Sequence, residues 1–204
     1  MSTLTEAPRT LLSIAGIAPR QPRLSQATLV VIDAQNEYRS GALPLAGIDQ
    51  AVGRLALLLK RARAAGTPVI HVRQLGRPGG LFDPESSGGG FIEETAPLEG
   101  ERVVTKRLPN AFQDTDLKAI LDAHGRPQLL LAGFMTHMCV SATARSALDH
   151  GLTASFVVAD ATATRALPDP GESGVVPAAD VQRVALAEIA DRFAEVVHSD
   201  AIAA

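Results

Sequence analysis

Three side chains in this sequence have the types needed for nucleophilic chemistry: a thiol, a carboxylate and an amine. Cys139 is the only cysteine among the 204 residues and lies in the apolar stretch LLLAGFMTHMCVSATARSALDHG. Asp33 follows the apolar run TLVVI, and Lys106 ends the run RVVTK. A cysteine sulfur can attack a carbonyl carbon, a carboxylate can accept and return the thiol proton, and an ammonium group stabilises negative charge beside it.

Taken singly, none of these residues specifies a function. A lone cysteine in an aliphatic protein is more often a small buried hydrophobic residue than a nucleophile. An aspartate after a strand is equally typical of a turn, and a lysine at a strand end is usually solvated. Whether the three residues are reactive or structural must therefore be judged from their positions relative to the predicted strands and helices.

The sequence alternates short apolar runs with segments of helical period. Two irregular segments, 75–101 and 165–176, are rich in glycine and proline, and long irregular loops are often functional. Strands that alternate with helices predict an α/β fold with a parallel sheet and helices on both faces. We predict strands over 28–33, 67–73, 101–106, 127–133 and 153–160, and helices over 48–66, 115–125 and 177–196, with a further helix starting near Cys139.

All three reactive residues fall at the carboxyl ends of predicted strands. Ligands bind at this edge of open α/β sheets, at a switch in strand order. Cys139 is also predicted to lie in a strand–turn–helix connection, where the helix dipole and a nearby lysine would favour the thiolate form. The convergence of Asp33, Lys106 and Cys139 on one edge is the main functional signal that the residues themselves give.

Composition excludes several function classes. The net charge of −3 provides no basic surface for nucleic acid or for an anionic membrane, so we expect a small-molecule partner. No apolar run is long enough to span a bilayer, and the first residues lack the pattern of a secretory leader. A single cysteine cannot form an internal disulfide, so we expect a cytoplasmic protein. We predict an N-terminal arm over 1–27 and a single domain over 28–204.

Three ordered motifs resemble one known family. An apolar strand followed by Asp-x-Gln-x-x-aromatic matches VVIDAQNEY, and Lys-Arg followed by a phenylalanine matches KRLPNAF. Gly-x-x-Thr-x-x-Cys-Val, followed by Thr and Ala on a helix, matches GFMTHMCVSATARSA. On these motifs the chain resembles the isochorismatase-like cysteine hydrolases from about residue 28 to residue 197.

The resemblance implies a fold and a catalytic arrangement. The fold would be a three-layer αβα, Rossmann-like sandwich with a mainly parallel six-stranded sheet. Cys139 would be the nucleophile and Asp33 the acid and base, with Lys106 holding the pair in its ionised state. A cis peptide bond between Phe134 and Met135 would aim the N–H groups of Met135 and Cys139 at one point as an oxyanion hole. Such proteins are usually homodimers or homotetramers.

The implied activity is hydrolysis of a C–N bond in a small amide, ureide or imide through a thioester. Two alternatives stay open: hydrolysis of a vinyl ether, which does not need the cysteine, and a noncatalytic binding module. Some relatives carry a metal site near the second strand, but His71 is the only histidine there and is expected to make an ordinary hydrogen bond. We therefore expect no metal and no cofactor.

Adjacency to the motifs gives candidates for the substrate pocket. The main candidates for substrate binding are Tyr38, Gln74, Phe112 and His137. Phe82, Met135 and Thr164 are further candidates, and their alternative is plain packing or loop exposure. Three arginines, Arg73, Arg77 and Arg165, either contact a substrate carboxylate or are solvated, so the sequence does not favour an anionic substrate.

Overall fold

The computed structural model describes residues 7–171 and 174–204, and its centre is a parallel six-stranded sheet. The strand order is β3-β2-β1-β4-β5-β8, and every neighbouring pair is parallel. The strands are β1 (Ala27–Ile32), β2 (Val69–Gln74), β3 (Arg102–Lys106), β4 (Gln128–Phe134), β5 (Ser155–Ala163) and β8 (Glu195–Val197). A separate antiparallel pair consists of β6 (Leu167–Pro168) and β7 (Val175–Val176).

Helices cover both faces of the sheet, which confirms the predicted αβα layers. The helices are α1 (Leu11–Ile14), α2 (Ile48–Ala64), α3 (Leu117–His124), α4 (Ser141–Asp149) and α5 (Ala178–Arg192). Buried side chains of α2 pack on one face, and those of α3, α4 and α5 pack on the other. All six residues of β1 are buried, as expected for a continuous apolar strand in a parallel sheet.

Most element ends lie one to three residues from the predicted ones, and two segments differ in type from the sequence prediction. The closing helix ends at Arg192 rather than at residue 196, and Glu195–Val197 pair with β5 as the sixth strand. The segment read as a second loop contains β6 and β7, although residues 172–173 within it lie outside the described residues. In both cases pairing with another strand outweighs the local pattern: Glu195–Val197 pair with the distant β5, and β6 pairs with the nearby β7.

Part of the predicted N-terminal arm lies outside the described residues, and the rest contacts its own chain. The backbone N–H of Leu11 donates to Asp191, and Arg20 forms an ion pair with Glu195 at 2.8 Å. No described helix is long and apolar enough to cross a membrane. The oligomeric state stays a prediction.

Candidate active site

The strand order reverses between β1 and β4, and the candidate site lies at the carboxyl ends of these strands and their neighbours. Asp33 directly follows β1 with a left-handed φ of 49°, a conformation that Asp tolerates better than most residues. Lys106 is the last residue of β3, and Cys139 lies in a π-helical turn, Thr136–Val140, between β4 and α4. The peptide bond between Phe134 and Met135 is cis. Open α/β sheets bind ligands at the carboxyl ends of the strands, where the strand order switches.

The Lys106 ammonium group joins the other two reactive side chains. Its Nζ lies 2.7 Å from Asp33 Oδ2, 3.4 Å from Cys139 Sγ and 2.6 Å from Gln74 Oε1. An ammonium group has three N–H donors, so each donor has one of these acceptors. Asp33, Lys106 and Cys139 are all buried, with exposed fractions of 0, 1 and 5%. The structure therefore brings together the three residues that the sequence singled out.

Asp33 lies in an environment that opposes its charge. Burial raises the pKa of its carboxyl group, and this effect exceeds the opposite effect of the Lys106 charge and hydrogen bond. The second carboxylate oxygen, Oδ1, is buried and accepts no hydrogen bond from a described residue. One oxygen of the Asp33 carboxyl group is thus held by lysine, and the other is left without a hydrogen bond in the described part of the chain.

The environment of Cys139 favours the protonated thiol over the thiolate. Burial raises the pKa of the thiol to about 12, the negative charge of Asp33 acts in the same direction, and Lys106 opposes both. This balance does not support the expectation that Lys106 and the helix dipole hold a resting thiolate. That expectation omitted the cost of burying the sulfur next to a carboxylate.

Gln35 fixes the end of β2, a role that the sequence reading did not assign. Its Oε1 accepts from the backbone N–H of Gln74 at 2.8 Å, and its Nε2 donates to the carbonyls of Gln74 and Gly89 at 3.1 and 2.9 Å. The Gln74 side chain in turn donates to the Arg107 carbonyl at 3.0 Å while it accepts from Lys106. The Gln of the Asp-x-Gln motif was the available signal, and its hydrogen bonds hold the backbone of Gln74, whose side chain contacts Lys106.

The segment 75–101 is fixed to the residues after β1. The Asn36 side chain donates to the carbonyls of Ser87 and Phe91 at 3.1 and 3.2 Å. Buried Glu37 accepts from the backbone N–H of Phe82 at 3.2 Å. A Cβ at Gly88 would lie 2.5 Å from Glu37 Oε2, so only glycine fits there without a shift. These contacts make the segment a wall of the site.

A cavity of about 550 Å³ opens above Cys139. Of the predicted pocket residues, Tyr38, Gln74, Phe82 and Met135 line it. The rings of Tyr38 and Phe82 meet edge to face at 5.1 Å. Burial, reinforced by the charge of Asp33, raises the pKa of the Tyr38 hydroxyl, so this group is neutral.

Phe112 and His137 do not line this cavity, which corrects their assignment as pocket residues. Phe112 is a buried core residue whose ring lies 4.7 Å from that of His150. His137 Nδ1 hydrogen bonds to the hydroxyl of Thr164. Burial lowers the pKa of His137, and the Arg165 charge acts in the same direction. Adjacency in sequence to a motif does not determine which way a side chain points from a loop or helical turn.

His71 hydrogen bonds to a carboxylate that takes no part in the contacts of Lys106. Its Nε2 lies 2.9 Å from Glu101 Oε2, and the Arg63 guanidinium pairs with the same carboxylate at 2.8 Å. Although burial acts to raise the pKa of Glu101, the hydrogen bonds from Arg63, the Leu98 backbone and His71 lower it to about 2. Within the described ranges, no group of three or more His, Cys, Asp or Glu residues could hold a metal. The absence of a metal or cofactor stays a prediction.

The model of the isochorismatase domain family matches residues 27–201, which include every element of the large sheet. The chain belongs to the isochorismatase family. It is 45% identical to an isochorismatase of Pseudomonas putida KT2440 whose crystal structure superimposes with a TM-score of 0.92, covering 96% of this chain and 100% of that one.

Curated relatives extend the family relationship to enzymes with named activities. A secreted isochorismatase effector of Verticillium dahliae is 38% identical over 190 residues, 92% of this chain and 95% of the relative. A maleamate amidohydrolase of Pseudomonas putida is 31% identical over 173 residues, 72% of this chain and 76% of the relative. The family therefore includes amidohydrolases, which supports hydrolase activity. Because one relative is described as secreted, the cytoplasmic location stays a prediction.

Proposed function

We propose that this protein is a cysteine-dependent hydrolase that cleaves a C–N bond of a small amide, ureide or imide through a thioester intermediate. The observation that carries the proposal is the single Lys106 ammonium group in contact with both Asp33 and Cys139 at the floor of a cavity. A buried thiol, carboxylate and amine in mutual contact have a chemical use in acyl transfer. A binding module has no such need for all three groups.

The first step forms a bond between Cys139 Sγ and the substrate carbonyl carbon. Because the thiol is protonated in the resting site, Asp33 removes its proton as the sulfur attacks, and Lys106 stabilises the negative charge that passes between them. The carbonyl oxygen becomes an oxyanion, which the backbone N–H groups of Met135 and Cys139 stabilise. Removal of one such donor typically costs about 3 kcal/mol of transition-state stabilisation.

The second half of the reaction returns the site to its starting state. Protonated Asp33 donates its proton to the departing nitrogen, the C–N bond breaks, and a thioester on Cys139 is left. Asp33 is again a carboxylate, with its free oxygen Oδ1 available to take a proton from water. The water oxygen attacks the thioester as its proton passes to Asp33, the C–S bond breaks to release the acid, and Asp33 returns that proton to the sulfur to restore the thiol. A raised pKa suits Asp33 to both roles, because proton transfer is most efficient when the catalytic pKa is near the operating pH.

The proposal is tested by a panel of small amides, ureides, imides and isochorismate, assayed for release of ammonia, amine or acid. We expect turnover of a C–N substrate by the natural protein and a loss of at least about 1000-fold in Cys139→Ala, because the nucleophile is removed. Turnover of isochorismate that persists in Cys139→Ala would support vinyl ether hydrolysis instead. No turnover of any substrate, with saturable binding of one of them, would support a noncatalytic module.

A further inference from the structure

The Tyr38 hydroxyl is a polar group of the cavity wall that the proposed reaction does not use. The residue is only 2% exposed, and it lines the cavity above Cys139. Its hydroxyl forms no hydrogen bond with any residue in the described ranges, yet it is not one of their fully enclosed polar atoms. The hydroxyl therefore reaches the space inside the cavity, where a bound molecule can contact it. A hydroxyl in such a buried position is stabilised when a ligand provides its partner.

The Tyr38 ring is held in one position before any ligand binds. It meets the rings of Phe82 and Phe134 edge to face, at 5.1 and 6.1 Å between ring centroids. The Tyr38 N–H donates to the Gln35 carbonyl and the Tyr38 carbonyl accepts from the Leu45 N–H, both at 3.1 Å. Because ring and backbone are already fixed, little conformational entropy is lost when the hydroxyl binds a ligand.

The hydroxyl is a donor that keeps its proton and favours an uncharged acceptor. Burial makes the largest contribution to its raised pKa, and the negative charge of Asp33 acts next in the same direction. Negative charge on Cys139 and on Glu37 adds to the rise, and only the charge of Arg165 opposes it. The carboxylates around the hydroxyl repel a further anion, so a neutral carbonyl oxygen is a better partner than a carboxylate.

The proposed oxyanion hole accounts for one carbonyl group of a substrate, the one that Cys139 attacks. The Tyr38 hydroxyl is a separate donor and needs a separate acceptor. We infer that the Tyr38 hydroxyl donates to a second, uncharged carbonyl group of the substrate, so that the protein prefers imides to simple amides. This inference rests on the proposed function for the identity of the scissile bond, but the preference for a second carbonyl group can be measured without turnover.

The first test compares two cyclic ligands that differ in one carbonyl group. Succinimide is an imide with two carbonyl groups, and 2-pyrrolidinone is the lactam of the same ring size with one. Each is added at increasing concentration while iodoacetamide labels Cys139, the only cysteine in the chain, and mass spectrometry follows the labelling. The measured quantity is the ligand concentration that halves the labelling rate.

We expect succinimide to halve the rate at a concentration between about twofold and about tenfold lower than 2-pyrrolidinone, the effect of one hydrogen bond. Tyr38→Phe should abolish the difference. Thr28→Val is the matched control, because Thr28 Oγ1 is also a buried hydroxyl oxygen without a partner in the described residues, but it lies near the start of β1 and does not line the cavity. This control should keep the difference. No preference for succinimide in the natural protein, or a preference that persists in Tyr38→Phe, would overturn the inference.

Thermal unfolding separates a ligand-binding hydroxyl from a structural one. Tyr38→Phe removes a group that bonds to no described residue, so its Tm should lie no more than about 1 °C below that of the natural protein. A hydroxyl that stabilised the fold through a hydrogen bond would lower Tm by roughly 2–6 °C when removed. A decrease of that size would also overturn the inference.

The last test uses turnover and separates this inference from the proposed function. We expect kcat/KM for succinimide to exceed that for 2-pyrrolidinone, and Tyr38→Phe to remove the advantage. Equal kcat/KM values for the two compounds would refute the role of Tyr38 and leave the hydrolase proposal standing. No turnover of any compound of the panel, together with Tyr38-dependent protection of Cys139 by succinimide, would refute the hydrolase proposal and leave the preference for a second carbonyl group standing.

Discussion

The buried pair of Asp33 and Lys106 provides the most quantitative prediction. Both side chains have an exposed fraction of 0%, and their charged atoms lie 2.7 Å apart. Lys106→Met removes the ammonium group. Both buried oxygens of Asp33 then receive no hydrogen bond from the side chain at position 106. Removal of one partner of a buried ion pair typically costs about 3–5 kcal/mol. For a protein of about this size that corresponds to a decrease of roughly 6–20 °C in Tm.

The loss in Tm of Lys106→Met should depend on pH in a defined direction. Burial already raises the pKa of Asp33 in the presence of Lys106, and removal of the lysine takes away the largest effects that oppose the rise. A carboxyl group whose pKa is raised by folding is neutral in both states at low pH, so it costs no stability there. The cost grows as pH rises above the pKa of unfolded aspartate, about 3.9, and levels off above the folded pKa. The loss in Tm of Lys106→Met should therefore be smaller at pH 4.5 than at pH 8.

The matched control is the double variant Asp33→Asn with Lys106→Met. Asparagine keeps the shape of aspartate and tolerates the left-handed φ of 49°, but it carries no charge. The double variant should recover most of the Tm while remaining inactive, which separates folding from catalysis. Thermal unfolding followed by circular dichroism at both pH values is sufficient. A Lys106→Met variant that unfolds within 1 °C of the natural protein at about pH 8 would refute the reasoning, since a buried unpaired carboxylate cannot be free of cost.

Three further predictions concern the reaction and the scaffold. Asp33 must be ionised to take the thiol proton, and burial raises its pKa. We therefore expect kcat/KM to fall with decreasing pH, with its midpoint at a pH above the ordinary aspartate pKa. A pH–rate profile whose acid limb has its midpoint near about 3.9 would contradict this. Gln74→Met should lower kcat more than tenfold, because Lys106 loses a hydrogen-bond acceptor. Gln74→Glu keeps an acceptor and should have a higher kcat than Gln74→Met. Equal kcat values for the two variants would exclude a positioning role. Gly133→Ala should lower the unfolding free energy by more than about 3 kcal/mol, because φ is +111° and the new Cβ would lie 2.0 Å from the Ile32 carbonyl oxygen. Gly53→Ala on α2 is the control, because its Cβ would meet no atom within 4 Å and should not destabilise the protein. Urea denaturation compares the two variants.

Much of the fold and the reactive centre could be predicted because they depend on patterns that are local in sequence. Continuous apolar runs identify buried parallel strands, and the residue after each run lies at the sheet edge where sites form. Asp33 directly follows β1, Lys106 ends β3 and Cys139 lies in the turn after β4, so strand prediction placed all three near one edge of the sheet.

What the sequence did not reveal depends on the direction of side chains and on long-range pairing. Phe112 points into the core beside His150, while Arg107 lines the cavity, and no local pattern distinguishes the two. The sixth strand has only three residues and follows a helix without a turn signal, so its pairing with β5 alone defines it. The charge state of Cys139 likewise depends on the balance between burial and two opposite neighbouring charges, which only coordinates provide.

Capture of the covalent intermediate tests the central claim most directly. The natural protein would be mixed with a substrate found by the panel, quenched in acid within milliseconds to seconds, digested and examined by mass spectrometry. The account predicts one acyl group, the acid part of the substrate, on the peptide that contains Cys139, removable by hydroxylamine and absent in Cys139→Ala. Rapid turnover with no acyl group at any quench time, together with full activity of Cys139→Ala, would contradict it.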